Sequence, residues 1–270
     1  MKPFLLQHSD NGVWYGFFPR IAALNIKHGL SSRLGGLSVS PYHTLNLGLH
    51  TGDQAEQVVA NRRLFCQALN VDPLKIVTAE QVHGEHIHRV TLQDAGRGAE
   101  VYEQAIPATD ALITNIPGLP LLLFFADCVP VLIADPVHRA VAISHAGWKG
   151  TVAKIAQKTI IAMQTQFNTQ PADCVIGIAP SIGPCCYQVG ENVVSQVKRQ
   201  FPQWTQLLTQ SEENYYLNLW EANRVQLMEI GVPADNIVVS DICTACNSEL
   251  FYSYRADHGR TGRIGAIITL

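Results

Sequence analysis

Apolar residues fall along the chain in two rhythms. Short runs bounded by Gly, Pro, Asp or Asn recur through the first half: WYGFF, KIVTAE, EHIHRVTL, DALITN, LPLLLFF, PVLIAD and RAVAIS. These read as strands. A helical spacing marks residues 54–69, 151–167, 191–201 and 217–231. Gly231 and Pro233 close the last of these, and the run NIVVSD behind them, like the run behind Cys174, reads as a further strand. No repeat, low-complexity tract or linker interrupts residues 1–270. The expected organisation is therefore one domain of the α+β class, with mixed, largely antiparallel β-sheets covered by helices.

Composition narrows the classes. A chain of 270 residues that is 47% hydrophobic can bury a large core. Its net charge is −3 with acids and bases scattered, so the basic patch that binds nucleic acid is missing. The apolar run Phe4 to Leu6 is too short for a secretion signal, and the run Leu119 to Phe125 falls well short of the ~20 residues a membrane span needs. A soluble, cytoplasmic protein with neither nucleic-acid nor membrane partners is expected, and the sequence is silent on oligomeric state. The seven cysteines are irregularly spaced and odd in number, which reads as reduced thiols. Cys66 and Cys174 read as buried packing groups.

The chemistry begins with a hairpin. Between Cys128 and His145 two six-residue apolar runs flank the polar stretch Asp135-Pro136-Val137-His138. If Ala134 faces Arg139 across that loop, Cys128 faces His145, and facing Cβ atoms lie about 4.5–5.5 Å apart. A thiolate and an imidazole that close can share a metal or a proton. His83, followed by Gly84 in a loop, supplies a third ligand. Two His and one Cys leave a fourth position open, the arrangement of catalytic zinc.

Other features carry less. His86 and His88 read as a solvated sheet face. Cys243-Thr-Ala-Cys246 could bind zinc, but no second pair stands at ribbon spacing, so a pocket-wall or core role is expected; Cys185 and Cys186 stay ambiguous. The turn from Gly147 to Thr151 places Lys149 at a strand-to-helix junction, which suits either an anion or a plain Thr151 N-cap. Of three arginine-bearing, glycine-rich stretches, Arg33 and Arg255 are carried forward with Lys149 as substrate-binding candidates.

Taken in order from about residue 28 to the C-terminus, the motifs are SSRLGGLS, TLNLGLHTGD, QVHG, ATDALIT, FADCVPVLIAD, ISHAGWKGT, GIAPSIGPCCYQVG and CTACNSELFYSYRADHGRTGRIGA. Together they resemble the YfiH-type laccase-domain family, also called the purine nucleoside phosphorylase family, with a history as polyphenol oxidases. The resemblance implies a zinc centre of His83, Cys128 and His145, the three residues reached above. It also implies a fold related to the cysteine hydrolases of cytotoxic necrotizing factor toxins. The implied activity is phosphorolysis of adenosine, inosine, guanosine or methylthioadenosine, with nucleoside and phosphate as small-molecule partners, together with adenosine deamination.

Three alternatives stand beside it. A copper polyphenol oxidase would want many imidazoles and more than one H-x-H pair, whereas this chain has ten histidines and a single such pair. A Cys128/His145 amide hydrolase acting on peptidoglycan precursors would use the thiolate as nucleophile. A non-enzymatic protein would use the pocket to sense a ligand. Whether Cys128 is ligand or nucleophile is open at the level of sequence.

Overall fold

The computed structural model describes residues 2–270. In chain order its strands are β1 (Leu5–His8), β2 (Trp14–Phe17), β3 (Lys27–Ser31), β4 (Ile87–Arg89), β5 (Ala111–Thr114), β6 (Leu121–Phe125) and β7 (Val129–Asp135). There follow β8 (Ala140–Ala146), β9 (Val175–Ile178), β10 (Gln188–Val189), β11 (Leu208–Ser211), β12 (Asn214–Leu217), β13 (Ile237–Val239) and β14 (Ile264–Thr269). The helices are α1 (Pro19–Ala22), α2 (Ala55–Ala68), α3 (Trp148–Val152), α4 (Ile155–Phe167), α5 (Glu191–Gln200) and α6 (Leu219–Glu229).

Two sheets form the body. One runs β1-β2-β3-β14-β6 and the other β13-β9-β7-β8-β5-β4, with a small β10-β12-β11 ribbon beside them. Pairing is antiparallel except between β13 and β9 and between β4 and β5, so the architecture is mixed α and β with antiparallel-rich sheets. Alternation along the strands explains the layering. Leu132, Ala134, Val141 and Ile143 of the larger sheet meet Leu121, Leu123, Phe125, Ile264, Ala266 and Ile268 of the smaller. Their neighbours Val131, Ile133, Ala140 and Ala142 face the other way and pack with Ile155, Ile160 and Met163 of α4. Leu122, Phe124 and Ile267 turn outward onto Phe65 and Cys66 of α2. Each central strand is covered on both faces, which is why it reads as a continuous apolar run. Among the described residues no helix is long and apolar enough to cross a membrane.

Several expectations need correction. The β7–β8 hairpin pairs Asp135 with Ala140 and Ala134 with Val141, so Ala134 does not face Arg139 and Cys128 is not directly opposite His145. Pro130 is opposite His145 instead. The cause is Asp135: its buried carboxylate accepts the N–H groups of Val137 and His138 at 2.9 and 3.0 Å, opening the turn one residue later than the polar pattern indicates. The partner slips by two residues, and a slip of two preserves the face. The expected helix over 151–167 is two helices, broken at Lys154 with φ 61°. The first opens at Trp148, so Thr151 is no N-cap but a buried residue whose hydroxyl donates to the Ala146 carbonyl. Of KIVTAE only isolated bridges at Val77 and Ala79 form.

Candidate active site and metal centre

Cys128, just before β7, and His145, in β8, share the side-chain parity that points into the layer between the sheets. They sit at its open end, with the His145 ring 5.5 Å from that of Phe125. His83 reaches the same point from the loop after Ala79, in a left-handed conformation of φ 59°. The ligand atoms of the three residues lie within 4.8 Å of one another. Gly147 makes this approach possible, because a Cβ there would lie 2.9 Å from Cys128 Sγ and 3.1 Å from His83 Cδ2.

Asp110 holds the arrangement together. Its carboxylate accepts the consecutive backbone N–H groups of Val82, His83 and Gly84 at 3.2, 3.0 and 2.7 Å. The same carboxylate lies 2.7 Å from His145 Nδ1, and the Asp110 carbonyl accepts the His145 N–H at 2.7 Å. One fully buried side chain thus fixes both the His83 loop and the His145 ring. Burial pushes the Asp110 carboxyl up, but His145 and the loop N–H groups outweigh it and hold it below the usual carboxylate range. Burial likewise opposes charge on Cys128 and His145, yet each favours the other's charged form. The thiol is drawn down to about 6 by His145 and His83, and the imidazole is raised to about 9 by Cys128 and Asp110.

The centre opens into a pocket of about 500 Å³. Its walls include Phe124, Tyr187, Arg255 and Arg263. The Arg255 guanidinium donates to the carbonyls of Cys186 and Gln188, and that of Arg263 to those of Thr261 and Gly262. Neutral carbonyls position these cations without cancelling their charge, which suits an anionic ligand. Gln81 bonds both the N–H and the carbonyl of Phe124 at 2.8 Å, stiffening the opposite wall.

Of the expected site residues, the structure brings His83, Cys128, His145 and Arg255 to this pocket. Arg33 is elsewhere, donating to the carbonyls of His43 and Ser248 and lying over the Tyr252 ring at 4.6 Å. Lys149 lines a separate open cleft with Trp148, Lys154 and Lys158. Asp110 and Arg263 escaped the reading of the sequence. Arg263 belongs to a stretch that was visible but indistinguishable from a turn with a solvated charge, and Asp110 looks like any polar residue that opens a strand.

The donor set fits a metal ion. Sulfur and two imidazole nitrogens converge, and His145 presents Nε2 because Nδ1 is engaged by a buried carboxylate, the support that metal-binding histidines typically receive.

Known proteins resemble this chain over most of its length. A family model described as multi-copper polyphenol oxidoreductase laccase matches residues 27–270. The purine nucleoside phosphorylase YlmD of Geobacillus stearothermophilus is 43% identical over 242 residues, covering 89% of this chain and 88% of that protein. The purine nucleoside phosphorylase YlmD of Bacillus subtilis is 39% identical, covering 89% of this chain and 87% of that protein. The crystal structure of the YfiH protein of Bacillus licheniformis superposes with a TM-score of 0.93 at 37% identity, covering 98% of each chain. The chain belongs to this laccase-like family, the family of the YfiH and YlmD proteins.

Proposed function

We propose that this protein is a zinc-dependent purine nucleoside phosphorylase, acting on adenosine, inosine, guanosine and methylthioadenosine, and that residues 1–270 work as a single laccase-like domain in the cytoplasm. One observation carries the reading: the sulfur–imidazole cluster opens into a pocket whose other walls offer aromatic rings and two arginines whose guanidinium groups, among the described residues, bond backbone carbonyls and pair with no carboxylate. Phosphorolysis needs such a combination. A phosphate oxygen bonds to the anomeric carbon as the carbon–nitrogen bond to the purine breaks, so the site must hold an anion and a flat base side by side.

In this chain Arg255 and Arg263 would hold the phosphate, and Phe124 and Tyr187 would flank the purine. Cys128, His83 and His145 would hold zinc, which when bound supplies Lewis acidity. Asp110 keeps the His145 proton on Nδ1 and so leaves Nε2 available. Zinc is favoured over copper because, among the described residues, the groups able to hold a metal contain two imidazoles at most. The same centre would serve adenosine deamination, which requires water at purine C6 in place of phosphate at the sugar.

A second reading draws on the mutual charging of Cys128 and His145 with Asp110 behind them, a nucleophile–base–orienter sequence. It would make the protein an amide hydrolase acting on peptidoglycan precursors, and a fold relationship to cytotoxic necrotizing factor toxins, which the sequence resemblance implies, would accord with it. Incubation with adenosine and with inosine, in the presence and absence of phosphate, separates these readings. Free base and ribose 1-phosphate formed only with phosphate are expected. Base release that ignores phosphate, or no turnover of any purine nucleoside, would overturn the phosphorylase reading.

A further inference from the structure

Four thiols form a second cluster away from the centre described above. Cys185 and Cys186 follow Gly183-Pro184, and Cys243 and Cys246 lie in the turns beyond β13. The two segments run side by side through a bridge between Ser181 and Cys243, with the Thr244 N–H donating to the Ser181 carbonyl at 3.0 Å. As a result all four sulfurs lie within 4.8 Å of one another. Cys246 Sγ is 3.5 Å from that of Cys185 and 3.4 Å from that of Cys186. The second pair that a C-x-x-C motif needs is therefore present, supplied by adjacent cysteines some sixty residues upstream.

We propose that Cys185, Cys186, Cys243 and Cys246 form a structural zinc site distinct from the catalytic centre. Four thiolates make a closed, soft donor set with no position left for water, the pattern of structural rather than catalytic zinc. Zinc–sulfur bonds of about 2.3 Å in a tetrahedron separate sulfurs by roughly 3.8 Å, so modest side-chain adjustment is enough to seat the ion. The surroundings suit thiolates. The Gly183 N–H donates to Cys243 Sγ at 3.2 Å. The Arg255 guanidinium, on the Cys186 carbonyl at 3.2 Å, brings positive charge toward a site carrying four negative ligands. A Cβ at Gly183 would lie 3.1 Å from Cys243 Cβ and 3.2 Å from Cys185 Sγ, so a glycine lets the two segments close on each other.

The site would tie down one wall of the catalytic pocket. Tyr187 follows Cys186 directly and lines that pocket, as does Arg255. Thr244, between the two C-x-x-C ligands, donates to Asp127 Oδ1 at 2.7 Å, beside Cys128.

Metal analysis of the full-length protein purified under reducing conditions tests this without reference to activity. The wild type should carry two zinc ions per chain. A Cys185→Ser/Cys246→Ser double variant should lose one and keep the other, and Cys128→Ala should show the complementary loss. Should the double variant fail to fold, the wild type decides: the four thiols should resist iodoacetamide until a chelator removes zinc, then react roughly tenfold faster or more. Full reactivity before chelation, or a metal content unchanged by the double substitution, would overturn the proposal.

Discussion

His145 Nδ1 lies 2.7 Å from the buried carboxylate of Asp110, and that bond decides which imidazole nitrogen faces Cys128. Because the same carboxylate accepts three N–H groups from the His83 loop, one residue sets the position of two candidate ligands. Asp110→Asn should lower zinc affinity at the centre by about 10–100-fold, read by competition with a chromogenic chelator, and lower turnover with it. Unchanged affinity would show that Asp110 supports the fold alone.

Gly147 offers a sharper probe, because its backbone at φ −65° accepts alanine without strain. The added methyl carbon would sit 2.9 Å from Cys128 Sγ and press the cluster apart. Gly147→Ala should therefore keep its melting temperature within a few degrees while losing metal and at least about tenfold in turnover. A fully active variant would mean that the three side chains need not converge.

On the proposed reading, substitution of Arg263 would separate phosphate binding from nucleoside binding. Its guanidinium bonds carbonyls at 2.9 and 3.0 Å, leaving its charge for a ligand. Arg263→Gln should raise the KM for phosphate by about 10–100-fold, equivalent to about one charge-assisted hydrogen bond, with the nucleoside KM far less changed. An equal rise in both constants would place Arg263 outside the phosphate site.

His28 predicts a pH dependence of stability remote from the site. Burial holds its ring down at about 4, against an ordinary value of 6.5, and its Nε2 accepts the Phe18 N–H at 2.9 Å. As pH falls below 6.5 the unfolded chain takes up a proton that the folded chain refuses, so stability present above that value is lost progressively toward pH 4. Between pH 7 and pH 5 this ring should cost about 2 kcal/mol. Urea unfolding of wild type and His28→Gln at both pH values should show a shallower fall for the variant; parallel falls would exclude the histidine as the source.

The strands most legible in the sequence are those covered on both faces. Leu121–Phe125, Val129–Asp135 and Ala140–Ala146 read as apolar runs because neither face meets water. Lys27–Ser31 pairs inside the smaller sheet yet mixes a lysine, a histidine and a glycine, and its sequence carries no such run. Convergence of Cys128 with His145 was legible because strand parity survives a two-residue slip, even though the direct opposition was not correct. Asp110 and Arg263 were hidden for a different reason: each matters through contacts with segments far away in the chain, and no local spacing records them. The four-thiol cluster was obscured in the same way, with its two halves read separately.

Cys128→Ala tests the joint role of Cys128, His83 and His145 most directly. Zinc content and phosphate-dependent cleavage of adenosine should be measured on the same preparation, with circular dichroism to establish that it is folded. The prediction is a folded protein short of one zinc ion with cleavage at background. Undiminished cleavage by that variant would contradict the assignment.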